Sequence, residues 1–155
     1  MRAIVDKLLF VFTIVICFKI ANAQNIDYIK KHFGFPLDIP ASVSGTFGEI
    51  RSNHFHSGID FRTQEKEGYK VYAVADGYVS RIRVSAWGFG NALYITHNNG
   101  YMSVYGHLLS FNSKITDYLR QKQYETQSFE QDLHLSHGKI RVKKGEVIAL
   151  SGNSG

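Results

Sequence analysis

Val71–Gly106, VYAVADGYVSRIRVSAWGFGNALYITHNNGYMSVYG, is the stretch whose pattern decides the fold. Its apolar residues fall in short runs, broken by Asp76-Gly77, by Gly88-Phe89-Gly90 and by Asn98-Asn99-Gly100. Val71–Ala75 and Tyr78–Val84 are rich in β-branched and aromatic residues and read as strands. The second of them alternates, which puts Val79, Arg81 and Arg83 on one face and Tyr78, Ile82 and Val84 largely on the other. Asn91–His97 makes a third strand. Asn98-Asn99-Gly100 then supplies the strongest hairpin signal in the chain, because Asn and Gly tolerate the positive φ of a tight turn. Tyr101–Gly106 is the return strand, and His107 stands directly after it.

Outward from this block the pattern changes once and then resumes. Ile115, Tyr118 and Leu119 lie at helical spacing, with Ser113 as a candidate cap, so a polar helical insertion is predicted near 113–131. Lys139–Val142, the turn Lys143-Lys144-Gly145 and Glu146–Leu150 return to strand, turn and strand. Upstream, Phe35–Pro40 is an extended entry punctuated by two prolines, within a lead-in at 24–46. The expected domain is mainly β, an antiparallel sheet with one helical insertion.

Composition agrees with a single globular domain. The chain has 155 residues, 44% of them hydrophobic, which is too apolar for intrinsic disorder. A single cysteine, Cys17, excludes a disulfide framework and a thiolate zinc site, so the seven histidines are the abundant soft ligands. Residues 1–23 read as a secretory signal peptide: Arg2 and Lys7 precede the apolar run Leu8–Phe18, and Ala21-Asn22-Ala23 is a small-x-small cleavage site. Lys19 ends the run short of the roughly 18 apolar residues a membrane anchor needs. Ile16 is too large for the small residue that lipoprotein processing wants before Cys17. The remaining 132 residues hold 15 Lys/Arg against 12 Asp/Glu. That net +3, without a basic block or aromatic RNA-binding motif, argues against nucleic acid and is compatible with weak attraction to an anionic wall polymer.

The densest polar constellation is Asn53–Phe61, NHFHSGIDF, in which His56 and Asp60 are both possible metal donors. On a straight strand their positions are about 13 Å apart at ~3.3 Å per residue, whereas two donors to one ion must lie far closer. A shared ion therefore requires the chain to bend, and Ser57-Gly58 is where a bend is cheap. A second point is Tyr105-Gly106-His107-Leu108, where a strand-end histidine sits at a sheet rim. Facing a substrate or water there, or being satisfied by a backbone carbonyl, are both open to it. The small-residue stretch Ser151–Gly155 reads as a tight turn or a flexible end.

Taken in order, these pieces resemble the lysostaphin/LytM-type zinc metallopeptidases, peptidoglycan endopeptidases with a β-rich fold of the duplicated-hybrid-motif type. The matching stretches are His56-x-Gly58-Ile59-Asp60-Phe61, Gly68–Val79, Gly88-x-Gly90-Asn91, His97-x-x-Gly100, Tyr105-Gly106-His107-Leu108 and Lys144-Gly145-x-x-Ile148-Ala149-x-Ser151-Gly152-Asn153-Ser154-Gly155. They span about 47–155, and the segment 113–138 departs from the spacing of shorter members.

The resemblance implies one Zn2+ held by His56 and Asp60, with His107 as the catalytic histidine that steadies the water or the tetrahedral oxyanion. In the family a His-x-His pair follows Ser-Gly-Asn-Ser-Gly and supplies the third zinc ligand and another catalytic histidine, so both are expected beyond Gly155. His134-Leu135-Ser136-His137 has the wrong spacing, lies upstream and reads as surface histidines. His54 is a candidate outer-sphere or substrate-contacting group; His32 and His97 receive no role. From 24–155 alone, two ligands imply weak zinc binding and little peptidase activity. The absence of a following strand implies an open edge beside Glu146–Leu150. The expected function is that of an exported zinc endopeptidase acting on peptidoglycan peptides, with no transmembrane anchor after signal cleavage. The alternative is an inactive LytM-like domain that binds cell wall or regulates another wall hydrolase.

Overall fold

The computed structural model describes residue 28 and residues 31–52 and 54–154; the expected signal peptide lies outside them. The chain divides into two compact units, Met1–Gly34 and Phe35–Gly155. In the first, the rings of Tyr28 and His32 stack 5.2 Å apart. Among the described residues no helix is long and apolar enough to cross a membrane.

The second unit is mainly β, as expected. Its elements are β1 (Val43–Gly45), β2 (Asp60–Phe61), β3 (Lys70–Tyr72), β4 (Gly77–Val84), β5 (Ala92–His97), β6 (Met102–Tyr105), β7 (Leu108–Phe111), α1 (Ser113–Thr126), β8 (Gln131–His134), β9 (Arg141–Val142) and β10 (Val147–Ser151). The pairings are antiparallel. One sheet runs β6-β5-β4-β8 with β9 also on β4, a second runs β3-β10-β7, and β1 pairs with β2. The β5–β6 hairpin closes at Asn98–Gly100, where Gly100 N–H donates to His97 O at 3.0 Å. The extended entry is tied down by Leu37, which bridges Val71, and by Tyr72 N–H donating to Pro36 O at 2.8 Å.

Four local expectations are corrected. Val79 is fully buried with Ile82 and Val84, not grouped with Arg81 and Arg83. A β-bulge between Val79 and Arg81 shifts the register against β5 and reverses the phase of alternation midway along β4. β10 is the middle strand of its sheet, flanked by β3 and β7, so the segment expected to be an open edge has its ladder groups paired on both sides. Helix α1 is capped by Asn112, whose side chain accepts from Ile115 N–H at 3.0 Å; Ser113 is its first residue. The helix stops at Thr126 because Gln127 turns left-handed at φ 51, and the insertion then returns as β8 to extend the large sheet.

The core is continuous across both larger sheets. Ile82, Leu93, Ile95 and Ile148 are fully buried, and α1 adds Ile115 and Leu119. The insertion is therefore anchored through its apolar stripe and through β8.

β8 is also fastened at the surface by a bidentate pair, Arg81 to Asp132, at 2.6 Å on both arms. The Arg81 hydrogen bonds hold the Asp132 carboxyl below its ordinary value, against a smaller opposing effect of burial. A carboxyl depressed in the folded state stabilises above its unfolded pKa, near 3.9, and that contribution is lost as pH falls through the folded value. Because Asp132 is about half exposed, solvent screening limits the effect to about 1 kcal/mol. Denaturant titrations of Asp132→Asn and wild type are expected to differ by no more than this at pH 7, and the difference is expected to shrink as acid protonates the depressed carboxyl.

Candidate metal-binding and catalytic site

β1 ends at Gly45, and the chain then folds into a small hairpin over 46–56. Gly48 N–H donates to His56 O and His56 N–H to Glu49 O, each at 2.8 Å, and Ile50 bridges Phe55. This places His56 beside the start of β2, where Asp60 pairs with Gly45. Between them the chain bends at Gly58. The bend that a shared ion requires is present: His56 Nε2 and Asp60 Oδ1 are 3.1 Å apart.

The hydrogen bonds of the hairpin orient both donors. Thr46 O lies 3.0 Å from His56 Nδ1 and can only accept, so Nδ1 carries a proton and the other nitrogen faces Asp60. In the neutral ring, Nε2 and the carboxylate oxygen then present lone pairs to each other. Such an arrangement calls for a positive centre between them, either a proton on Nε2 or a metal cation. Bonds of ~2.0–2.2 Å around a tetrahedral zinc put adjacent donors about 3.3–3.6 Å apart, so the observed 3.1 Å is slightly shorter than that, and a small outward shift of the carboxylate would admit the ion. The outer oxygen, Asp60 Oδ2, accepts from Arg51 at 2.8 Å, and the same Arg51 nitrogen lies 3.2 Å from Glu49 Oε2. Among the described residues no group of three or more His, Cys, Asp or Glu side chains is gathered as a complete ligand set.

Asp60 and His107 line one cavity of about 820 Å³, whose walls also include Phe61, Tyr105 and Ser151–Asn153. His107 occupies the turn between β6 and β7 at φ 54, a left-handed conformation that is uncommon for a residue with a side chain. Three contacts hold it there. Its backbone N–H donates to Phe89 O at 2.9 Å, its ring meets Phe89 edge-on at 6.3 Å, and its Nδ1 lies 2.7 Å from Ser154 O. Since the Ser154 carbonyl accepts, Nδ1 is the protonated nitrogen and Nε2 is left for other partners.

The Ser154 end is itself clasped. Its Oγ accepts from Asn91 N–H and donates to Leu108 O, each at 2.9 Å, while Asn91 Nδ2 donates to Leu108 O at 3.0 Å. The stretch expected to be a turn or loose end is thus docked through Ser154 onto Asn91 and Leu108. Beneath the cavity, burial pushes the Tyr105 phenol up from its ordinary value. Its oxygen accepts from Val74 N–H at 3.0 Å and lies 3.1 Å from Ser103 Oγ.

Four other histidines of the second unit do not join the pair. His97 is buried inside the large sheet, with Nδ1 donating to Asp76 O at 3.0 Å and Nε2 lying 2.9 Å from Ser103 Oγ. His134 and His137 are exposed on the insertion, and His137 packs against Tyr78. His54 is exposed on the hairpin, where its carbonyl accepts from Arg51 N–H at 2.9 Å. Three groups around the site carry no separate signal in the sequence: Thr46, Arg51 and Ser154. Two of them act through backbone carbonyls, and Arg51 meets Asp60 only because the hairpin folds back.

Comparison with known proteins places these residues in context. The profile of peptidase family M23 matches residues 54–135. A protein of Haemophilus influenzae described as an uncharacterized metalloprotease is 30% identical over 144 residues, covering 86% of this chain and 24% of its own length. The chain thus spans about a quarter of that relative.

Proposed function

This chain belongs to peptidase family M23, and we propose that it is an exported zinc metalloendopeptidase that hydrolyses the peptide cross-links of peptidoglycan. One observation carries the reading: His56 Nε2 and Asp60 Oδ1 converge to 3.1 Å, and Asp60 shares a cavity wall with His107. A nitrogen donor beside a carboxylate suits zinc better than magnesium or calcium, which favour all-oxygen sites. The metalloprotease description of the relative supports a metal cofactor. A bound zinc ion supplies Lewis-acid polarisation of a peptide carbonyl and acidifies water.

The chain's own residues supply the rest. His56 and Asp60 hold the ion, and the Thr46 carbonyl keeps the His56 ring in the tautomer that offers Nε2. His107, with Nδ1–H committed to Ser154, presents Nε2 to take a proton from the attacking water or to donate to the developing oxyanion. The cavity has room for a stretch of extended peptide. The leader-like residues 1–23 and the mildly basic remainder support an exported protein that meets an anionic polymer.

The test is a digest of purified peptidoglycan by the full-length protein, with the soluble muropeptides read by mass spectrometry. Cleaved cross-links are expected, abolished by a chelator and restored by zinc. Intact cross-links in the presence of zinc would overturn the endopeptidase reading in favour of an inactive wall-binding domain.

A further inference from the structure

We propose that Arg51 is a positioning residue for the metal site, locking the Asp60 carboxylate so that only Oδ1 faces the shared ion; this rests on the proposed ligation by His56 and Asp60. The two oxygens of Asp60 have different partners. Oδ1 faces His56 Nε2 at 3.1 Å, while Oδ2 accepts from Arg51 at 2.8 Å. A hydrogen bond at Oδ2 favours contact through Oδ1 alone over chelation by both oxygens. Arg51 is itself restrained at 3.2 Å by Glu49, whose carboxylate also accepts from Thr46 N–H at 3.2 Å.

Two features argue that the arrangement is built for orientation and is more than a chance surface ion pair. First, the Glu49 charge offsets that of Arg51, so the guanidinium can hold Asp60 without adding net positive charge beside a cation. Second, the backbone leaves room for the pair only because residue 45 is glycine. A Cβ there would sit 2.4 Å from Asp60 Oδ2 and 2.5 Å from the Arg51 nitrogen. Gly45 is buried and is the register partner of Asp60, so the strand pairing itself shapes the cradle. The same hairpin carries Thr46, which orients His56, so one short segment sets the direction of both donors.

The test is zinc affinity of the full-length protein, measured by competition with a chromophoric chelator, together with the visible spectrum of the cobalt-substituted form. Arg51→Ala is expected to weaken zinc about 10–100-fold, the range for loss of a group that orients a ligand, and to alter the cobalt bands. Arg51→Lys restores only part of the loss, because an ammonium is a strongly hydrated point charge on a flexible stem and holds the Asp60 carboxylate less rigidly. Gly45→Ala reproduces the loss while leaving Arg51 in the chain. Wild-type affinity and an unchanged cobalt spectrum in both Arg51→Ala and Gly45→Ala would overturn the role of Arg51. If His56→Ala and Asp60→Ala also leave zinc binding unchanged, the ligand assignment fails instead.

Discussion

Replacing His107 with alanine is expected to lower turnover on a cross-linked peptide by about 10²–10⁴-fold, the usual contribution of a positioned acid–base group. That corresponds to about 2.7–5.5 kcal/mol of transition-state stabilisation. The loss should fall on kcat, because His107 in this reading acts on the proton of the water or on the oxyanion and not on the resting substrate. Zinc affinity should stay within a few-fold of wild type, since the proposed donors are His56 and Asp60, 3.1 Å apart. That separation of effects is the informative part. A variant losing zinc and activity together would make His107 a ligand, and one keeping full turnover would remove it from the mechanism. His107→Asn is the better control for folding, because Asn tolerates the left-handed backbone at φ 54 more readily than Ala.

Much of this architecture was legible because strand and turn chemistry are local. The β-rich run Tyr78–Val84 and the Asn98–Gly100 turn each act over a few residues, and both correspond to observed elements. Two of the misread details were decided at long range. The bulge at Val79/Arg81 arises from pairing with β5, and the central place of β10 depends on β3 and β7, 75 and 40 or so residues upstream. The site divides in the same way. The need for a bend between His56 and Asp60 follows from the length of a strand and the size of a zinc ion, and the bend is there. The groups that orient the donors could not be read so, because Thr46 and Ser154 contribute carbonyls that every residue possesses. Only the fold selects which carbonyl meets which ring.

Gly90 tests whether that selection matters. It lies at φ 57, and a Cβ there would come within 2.3 Å of the Ser154 carbonyl carbon and oxygen. Gly90→Ala thus meets two penalties, a left-handed backbone costing about 1–2 kcal/mol and a clash with main chain that cannot rotate away. Together they are expected to lower stability by about 2–4 kcal/mol in urea titrations, placing the substitution among the severe ones. The clash is relieved most directly by expelling Ser154, which strips the Nδ1 partner from His107 and the Oγ partner from Asn91. Activity should therefore fall further than the folded fraction does. Ser154→Ala separates the two effects, since it removes the hydroxyl contacts with Asn91 and Leu108 but keeps the carbonyl that orients His107. A milder loss of stability, about 1–3 kcal/mol for the unpaired Asn91 amide, with turnover of the folded protein largely retained, is the expected result for that variant. If Gly90→Ala were as active per folded molecule as wild type, the Ser154 carbonyl would have no part in setting the His107 ring.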